Sequence, residues 1–201
     1  MIADDDAETS TAADLNTINE KTTAAINASA ITALTSDTID NIKTLLEDGN
    51  DTNEFSTDSF SALETVTVSD TTLDGSKLAD AIDQANSATG DTSVVFTISA
   101  ANTIEGSEAN FTALLTDDGN NQIDIDDQDI SVSGTISVDN ANLLDLATTG
   151  TITGGTIEGD VTGDVTGNVT GDVTGNSDTA TTLATARTIG GVSFDGSANI
   201  N

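Results

Sequence analysis

The chain contains no cysteine, histidine, tryptophan, tyrosine or proline among its 201 residues. Without cysteine it has no disulfide and no thiolate nucleophile, so the sequence does not indicate a redox compartment. Without histidine it lacks the commonest general base, and the usual ligands of zinc and copper are absent as well. These absences argue against a zinc or copper enzyme and against nucleophilic catalysis by cysteine.

Basic residues are also scarce, because four Lys and Arg stand against 35 Asp and Glu, a formal net charge of -31. Such a charge repels phosphate backbones and anionic lipid headgroups, so we expect neither nucleic acid nor a membrane surface as a partner. No apolar run approaches the ~20 residues of a membrane span. Residues 1–6 lack the basic start and apolar core that a signal peptide has.

The many serine and threonine hydroxyls have no histidine to activate them, and the four basic residues do not cluster into an oxyanion site. Composition alone leaves a glycan hydrolase with two catalytic carboxylates open. Such an enzyme would lack the tryptophan and tyrosine rings on which sugars usually stack. We therefore predict that the chain is not an enzyme and binds no cofactor.

Short helical patterns and short strand patterns alternate over residues 12–158, after an acidic stretch at 1–11 that we expect to be disordered. The helix after Asp37 shows the clearest spacing, with apolar residues on one face up to Gly49. Five helices are predicted, and they start near Asp14, at Asp37, at Asp74 or Ser76, before Phe111 and at Asp139. The last four of them are expected to end near Gly49, Gly90, Gly119 and Gly150.

The strand patterns recur at nearly equal spacing, beginning near Thr65, Ser93 and Gln122. One strand and one short helix are too small to bury an apolar face alone, so stacked neighbours would share a narrow core, as in a solenoid. The alternative is a loosely packed α+β domain with unrelated capped helices. Both interpretations make residues 12–158 a diverged β/α repeat body with a structural role.

Acidic clusters with glycine occur at residues 47–51, 117–121 and 154–160. None has the ligand spacing of an EF-hand loop, and the last is out of register with the calcium-binding nonapeptide repeat. Aspartate and glycine at turns and helix ends already account for them. We interpret the acidic run from Asp124 to Asp129 as a solvated strand edge that blocks edge pairing, and we predict no metal site.

Residues 159–176 repeat the four-residue unit G-[DN]-V-T without interruption. In an extended chain, Val and Gly then alternate on one face while Asp, Asn and Thr occupy the other. One copy cannot bury this row, whereas three parallel copies around an axis could, with glycine allowing close approach. A flexible linker is the alternative. The axial residues of the predicted homotrimer are Val161, Val165, Val169 and Val173. The predicted fold class is therefore mainly β with short helices, elongated, with an intertwined trimeric β-shaft after the repeat body.

The C-terminal residues 177–201 contain a predicted hairpin over Ile189–Phe194, and Arg187 is expected to pair with Asp195. The string A-R-T-I-G-G-V-S-F-D-G closely resembles a module of bacteriophage tail fibres, above all those of contractile-tailed phages of marine cyanobacteria, in which G-D-V-T-G-N runs commonly precede it. The resemblance covers Gly159–Asn201. Its motif residues are Leu183, Arg187, Ile189, Gly190, Phe194, Asp195 and Gly196.

The resemblance implies a structural fibre protein in a virion, a homotrimer that spaces a host-adhesion tip from the particle. Its implied partners are other copies, further fibre or baseplate proteins, and a host glycan contacted through a tip that this sequence does not contain. The small knob-like module at 177–201 normally continues into further repeats, whereas here it stops at Asn201, so the module is expected to be truncated. Two alternatives stay open, a repeat segment of a bacterial extracellular or cell-surface adhesin and a fibre-borne glycan hydrolase.

Overall fold

Strands and helices alternate along the part of the chain that the structure describes. This structure is a computed structural model, and it describes residues 8–90, 92–98, 103–158 and 187–195. They belong to two units, Met1–Val161 and Thr162–Asn201. The first unit contains β1 (Glu8–Thr11), α1 (Ala12–Asn19), β2 (Ile31–Asp37), α2 (Ile39–Gly49), β3 (Thr65–Val68), β4 (Thr72–Asp74), α3 (Gly75–Thr89), β5 (Val95–Ile98), β6 (Thr103–Ser107), α4 (Glu108–Gly119), β7 (Asp129–Ser137), α5 (Val138–Ala147) and β8 (Ile152–Glu158), and the second contains β9 (Arg187–Ile189) and β10 (Val192–Phe194).

The described strands of the first unit form two parallel sheets, ordered β1-β2-β3-β5 and β4-β6-β7-β8. Thr65 of β3 pairs with Val95 of β5, and Phe96 of β5 bridges Ile123 farther along the chain. Within each sheet the strands follow one another in the order of the sequence, so each new strand is added at the same edge of its sheet. A doubly wound sheet, by contrast, reverses its strand order part-way. The strands predicted near Thr65 and Ser93 are therefore direct neighbours, whereas the third predicted strand, near Gln122, is a loop that contributes a single bridge at Ile123.

The core follows the two periodicities of the sequence. On α2, Ile42, Leu45 and Leu46 are fully buried at helical spacing, and on β3 the buried Val66 and Val68 alternate with more exposed threonines. The buried side chains of the helices and of both sheets join in one apolar cluster. The helices predicted after residue 37 and after residue 74 are confirmed, and both bury the predicted faces.

Two phenylalanines anchor the long connection between α2 and β3. Phe55 and Phe60 are fully buried, and their ring centroids lie 5.3 Å apart. The ring of Phe60 also covers the end of α2, where a Cβ added to Gly49 would lie 2.7 Å from the ring atom Cε2. Glycine at the end of this helix is therefore required by packing against the ring.

Carboxylates from neighbouring turns of chain bind the first amide groups of several helices. Asp37 Oδ2 accepts a hydrogen bond from Ala13 N at 2.6 Å, and Asp70 Oδ2 accepts one from Ile39 N at 2.7 Å. Glu108 Oε1 accepts hydrogen bonds from Ser137 N at 2.9 Å and from Ser137 Oγ. These acids satisfy amides that a helix start leaves unpaired and complement its partial positive charge. Part of the acidic surplus therefore connects one repeat to the next.

Two predicted helix starts are wrong by one or two residues. The N-cap of α2 is Thr38, whose Oγ1 accepts from Asn41 N, while Asp37 bonds the amide of Thr38. The N-cap of α5 is Ser137 and not Asp139. α5 also ends at Ala147 and not at Gly150, where the backbone passes so close to the carbonyl of residue 128 that an added Cβ would collide with it.

The predicted fold class, mainly β with short helices and elongated, is wrong. The structure is mixed α/β, with five helices of up to 15 residues among its described residues and with parallel sheets. The strand predicted to reach Val138 ends at Ser137, and Val138 begins α5. None of the helices in the described ranges combines the length and the apolarity needed to cross a membrane.

Candidate functional site

An open cleft of about 600 Å³ lies between β5 and the loop that joins α4 to β7. The loop is held against the strand by a hydrogen bond from Phe96 N to Gln122 O at 2.7 Å. Apolar atoms of Phe96 and Ile123 form part of the lining, and carboxylates of the loop line the rest. The cleft is therefore a shallow acidic site beside the last strand of the first sheet.

Three carboxylates of this cleft, those of Asp118, Asp124 and Asp126, form an acidic cluster. One oxygen from each lies within 4.8 Å of the others. Asp118 belongs to the last turn of α4, whereas Asp124 and Asp126 follow in the loop, where Asp126 N donates to Asp124 Oδ1 at 3.0 Å. Oxygen atoms grouped in this way are the ligands that calcium and magnesium prefer.

Electrostatics within the cluster oppose full ionisation. Burial raises the pKa of Asp118 above its usual value, and the nearby charges of Asp126 and Asp124 raise it further. A hydrogen bond from the backbone N–H of Ile125 acts in the opposite direction. That bond also gives Asp118 a structural role, since it fastens the returning loop to the end of α4.

The sequence interpretation of Asp124–Asp129 as a strand edge is wrong. Asp124 and Asp126 lie in the loop, and Asp129 begins β7, which pairs with strands on both sides. The chain turns back at Asn121, which has a φ of 59° and lies in the left-handed region. The two asparagines after Gly119 are a signal from which this turn could have been predicted, and only the turn brings the loop acids to Asp118.

A second acidic contact joins α3 and α4. Burial raises the pKa of Asp117 to about 6, and the nearby charge of Asp83 contributes in the same direction. Asp117 lies on α4 next to Asp118, and Asp83 lies on α3. A carboxyl group with a raised pKa is one property of a general acid, but structural packing produces the same shift. The prediction that the chain is not an enzyme stays a prediction.

The motif residues of the C-terminal module lie partly in a hairpin. Arg187 and Ile189 belong to β9, Phe194 belongs to β10, and Asp195 follows β10 directly. The two strands are antiparallel, with Val192 paired to Ile189, which confirms the predicted hairpin. Its turn consists of Gly190 and Gly191, with φ values of 61° and 89°, the left-handed backbone that favours glycine.

Other predicted site residues lie outside the described residues. These are the four axial valines Val161, Val165, Val169 and Val173, together with Leu183 and Gly196. The expected pairing of Arg187 with Asp195, the absence of a metal site and the predicted segment boundaries stay predictions, but the disorder expected for residues 1–11 is wrong at Glu8–Thr11, which form β1.

Comparison of the chain with protein-family models, with curated proteins and with solved structures finds no match.

Proposed function

We propose that this chain is a structural segment of a virion fibre, which spaces a host-adhesion tip from the particle. The observation that carries the proposal is the G-[DN]-V-T run followed, nine residues later, by the string A-R-T-I-G-G-V-S-F-D-G, because this combination resembles tail-fibre modules. The hairpin at β9 and β10 supports it, since the Ile-Gly-Gly-Val core of the string forms a tight two-residue turn.

The partner that the proposal requires first is the chain itself, as a parallel homotrimer. Val161, Val165, Val169 and Val173 recur at every fourth position, and no other apolar row of matching length lies in residues 159–176. Three identical rows facing an axis would bury the valines in layers and leave Asp and Thr in water. Further fibre or baseplate proteins of the virion are the other partners proposed.

The stacked body of the first unit suits a spacer. Its core is continuous through both sheets, so neighbouring repeats support one another mechanically. Its acidic surface opposes association between bodies, which leaves the C-terminal residues as the place where copies join.

The test is the association state of the intact chain by sedimentation equilibrium, with Val169→Asp and Asp164→Asn as matched variants. We expect a trimer for the intact chain and for Asp164→Asn, which changes a residue of the polar face. Val169→Asp should dissociate it, because three like charges in a dry layer cost several kcal/mol. A monomeric intact chain, or a trimer indifferent to Val169→Asp, would overturn the proposal.

A further inference from the structure

The four-residue pattern of the predicted shaft has one more unit inside the described body. This unit is Gly155-Thr156-Ile157-Glu158, with glycine at the first position and a β-branched apolar residue at the third, as in the G-[DN]-V-T units that follow. Ile157 therefore precedes Val161 by four residues, which is the spacing of the predicted axial valines. In an extended chain this spacing places Ile157 on the same face as the valines.

A bend in the backbone separates this unit from the first half of β8. Gly154 and Gly155 have φ values of 74° and 71°, and the pairing of β8 with β7 shifts register at this point. Ile152 and Ile157 are five residues apart and would lie on opposite faces of an unbroken strand. Each is nevertheless paired with a buried isoleucine of β7. The bend thus restarts the alternation of side chains, and the end of β8 follows the alternation of the valine row.

Ile157 lies at the edge of its sheet with much of its side chain in water. It is 56% exposed, whereas its partner Ile136 on β7 is 2% exposed. Two further exposed apolar side chains, Leu143 and Leu146, belong to α5, which contacts β8. The three most exposed large apolar side chains in the described part of the first unit therefore lie on its last helix and last strand. Apolar surface concentrated in this way is typical of an interaction site.

The covalent connection identifies what covers this end of the body. Four residues of fully extended chain span at most ~14 Å. Wherever the Val161 residues of three copies meet, their Ile157 residues are held within that distance of the first valine layer. Other copies are therefore brought to this end by the valine row itself, and their approach requires no favourable charge.

We infer that Ile157 forms the first apolar layer of the trimer axis, packed against Ile157 of the two other copies. This inference rests on the proposed function, because the valine row is what brings the copies together. The axis then begins within β8, and the C-terminal end of each body is part of the trimer contact. Burial of Ile157 in this layer adds apolar contact area to that of the four valines.

Single-cysteine variants test the layer directly, since the natural chain contains no cysteine. Under mild oxidation, Ile157→Cys should give disulfide-linked pairs of chains on a non-reducing gel, because its copies meet within the ~7 Å that a disulfide spans between Cα atoms. Thr156→Cys is the matched control and should stay unlinked, because neighbouring residues of a strand point to opposite faces. The linkage at Ile157→Cys should be lost when Val169→Asp is added, since that replacement separates the copies.

A charge-matched pair of variants measures the contribution to association. Ile157→Asp would place three carboxylates in one apolar layer, so we expect the concentration at which half of the trimer dissociates to rise at least roughly tenfold. Thr156→Asp adds the same charge at the position that Asp160 has in the next unit, and it should leave that concentration nearly unchanged. Ile157 is largely exposed in the body, so the far-ultraviolet spectrum of both variants should match that of the natural chain.

The outcomes separate this inference from the proposed function. A trimer that dissociates with Val169→Asp but shows no linkage at Ile157→Cys, or equal linkage at both cysteine positions, would overturn the Ile157 layer and keep the proposed function. Linkage at Ile157→Cys that persists with Val169→Asp would also overturn the layer, since the contact would not depend on the valine row. An intact chain that sediments as a monomer would overturn both. Linkage confined to Ile157→Cys and lost with Val169→Asp, together with a weaker trimer for Ile157→Asp, would support the layer.

Discussion

Replacing Asp117 by asparagine is expected to stabilise the first unit at neutral pH. Burial, assisted by the charge of Asp83, raises the pKa of Asp117 from 3.8 to about 6 in the folded chain. Between those two values the folded chain binds more protons than the unfolded chain, so the free energy of unfolding falls as pH rises. The free-energy cost of ionising Asp117 in the folded chain is therefore absent below pH 3.8 and complete above about pH 6. Asparagine keeps the shape of the side chain and removes the charge.

The size of the effect follows from the shift. A change of ~2 pKa units corresponds to ~3 kcal/mol if it is converted directly. Asp117 is only partly buried, and water screens the interaction, so a gain of about 1 kcal/mol is the expected result. The gain should appear at pH 7.5 and vanish at pH 3.5.

Urea unfolding followed by far-ultraviolet circular dichroism at both pH values is the measurement, at one fixed protein concentration because association shifts apparent stability. Asp80→Asn on α3 is the matched control, since this replacement removes the same charge from an exposed position. If both variants stabilise equally at pH 7.5, general charge repulsion explains the result and the burial argument is refuted. A gain that persists at pH 3.5 would refute it as well.

Three further predictions concern the same unit. Gly49→Ala should cost about 1–3 kcal/mol of stability in urea unfolding, because its Cβ would lie 2.7 Å from the Phe60 ring. Gly119→Ala, at the end of α4, is the control and should cost nothing, because a Cβ added there has no atom within 4 Å. Hydrogen bonds from Ser137 and then Asn140 lower the pKa of Glu108 below 4.5, so Glu108→Gln should lower the free energy of unfolding at pH 7. The difference in stability from the natural chain should disappear as the pH falls through the folded pKa of Glu108. A difference that does not depend on pH would contradict this. Calorimetry should show no stoichiometric, sub-millimolar calcium binding at the acidic cluster, because the chain brings together only one oxygen from each of three carboxylates and lacks the ligand spacing of a calcium-binding loop. A stoichiometric heat signal would disprove it.

Several elements could be predicted because their signals are local. The spacing of Ile42, Leu45 and Leu46 indicated α2, and Asp74 with Gly90 marked the start and end of α3. The Gly190–Gly191 pair indicated the hairpin. In each case neighbouring residues decide the conformation, through helix periodicity, capping or the left-handed backbone of glycine.

The acidic cluster was not predictable in the same way. Its residues were visible in the sequence, but as two separate groups, one at the end of a helix and one assigned to a strand. The left-handed turn at Asn121 and the pairing of the loop with β5 bring Asp124 and Asp126 back to Asp118. The perturbed pKa of Asp117 likewise depends on α3 and α4 lying side by side.

Local patterns in the sequence located the apolar residues and placed the helices to within a few residues, although the starts of α2 and α5 and the end of α5 were misplaced. Tertiary structure decided that the strands pair in parallel and in chain order, which the strand patterns near residues 65, 93 and 122 did not specify. It also decided that Asp37, Asp70 and Glu108 bind helix starts of other turns. The physical reason is that caps and periodicity act over a few neighbouring residues, whereas pairing partners and burial depend on contacts between residues that are distant in the chain.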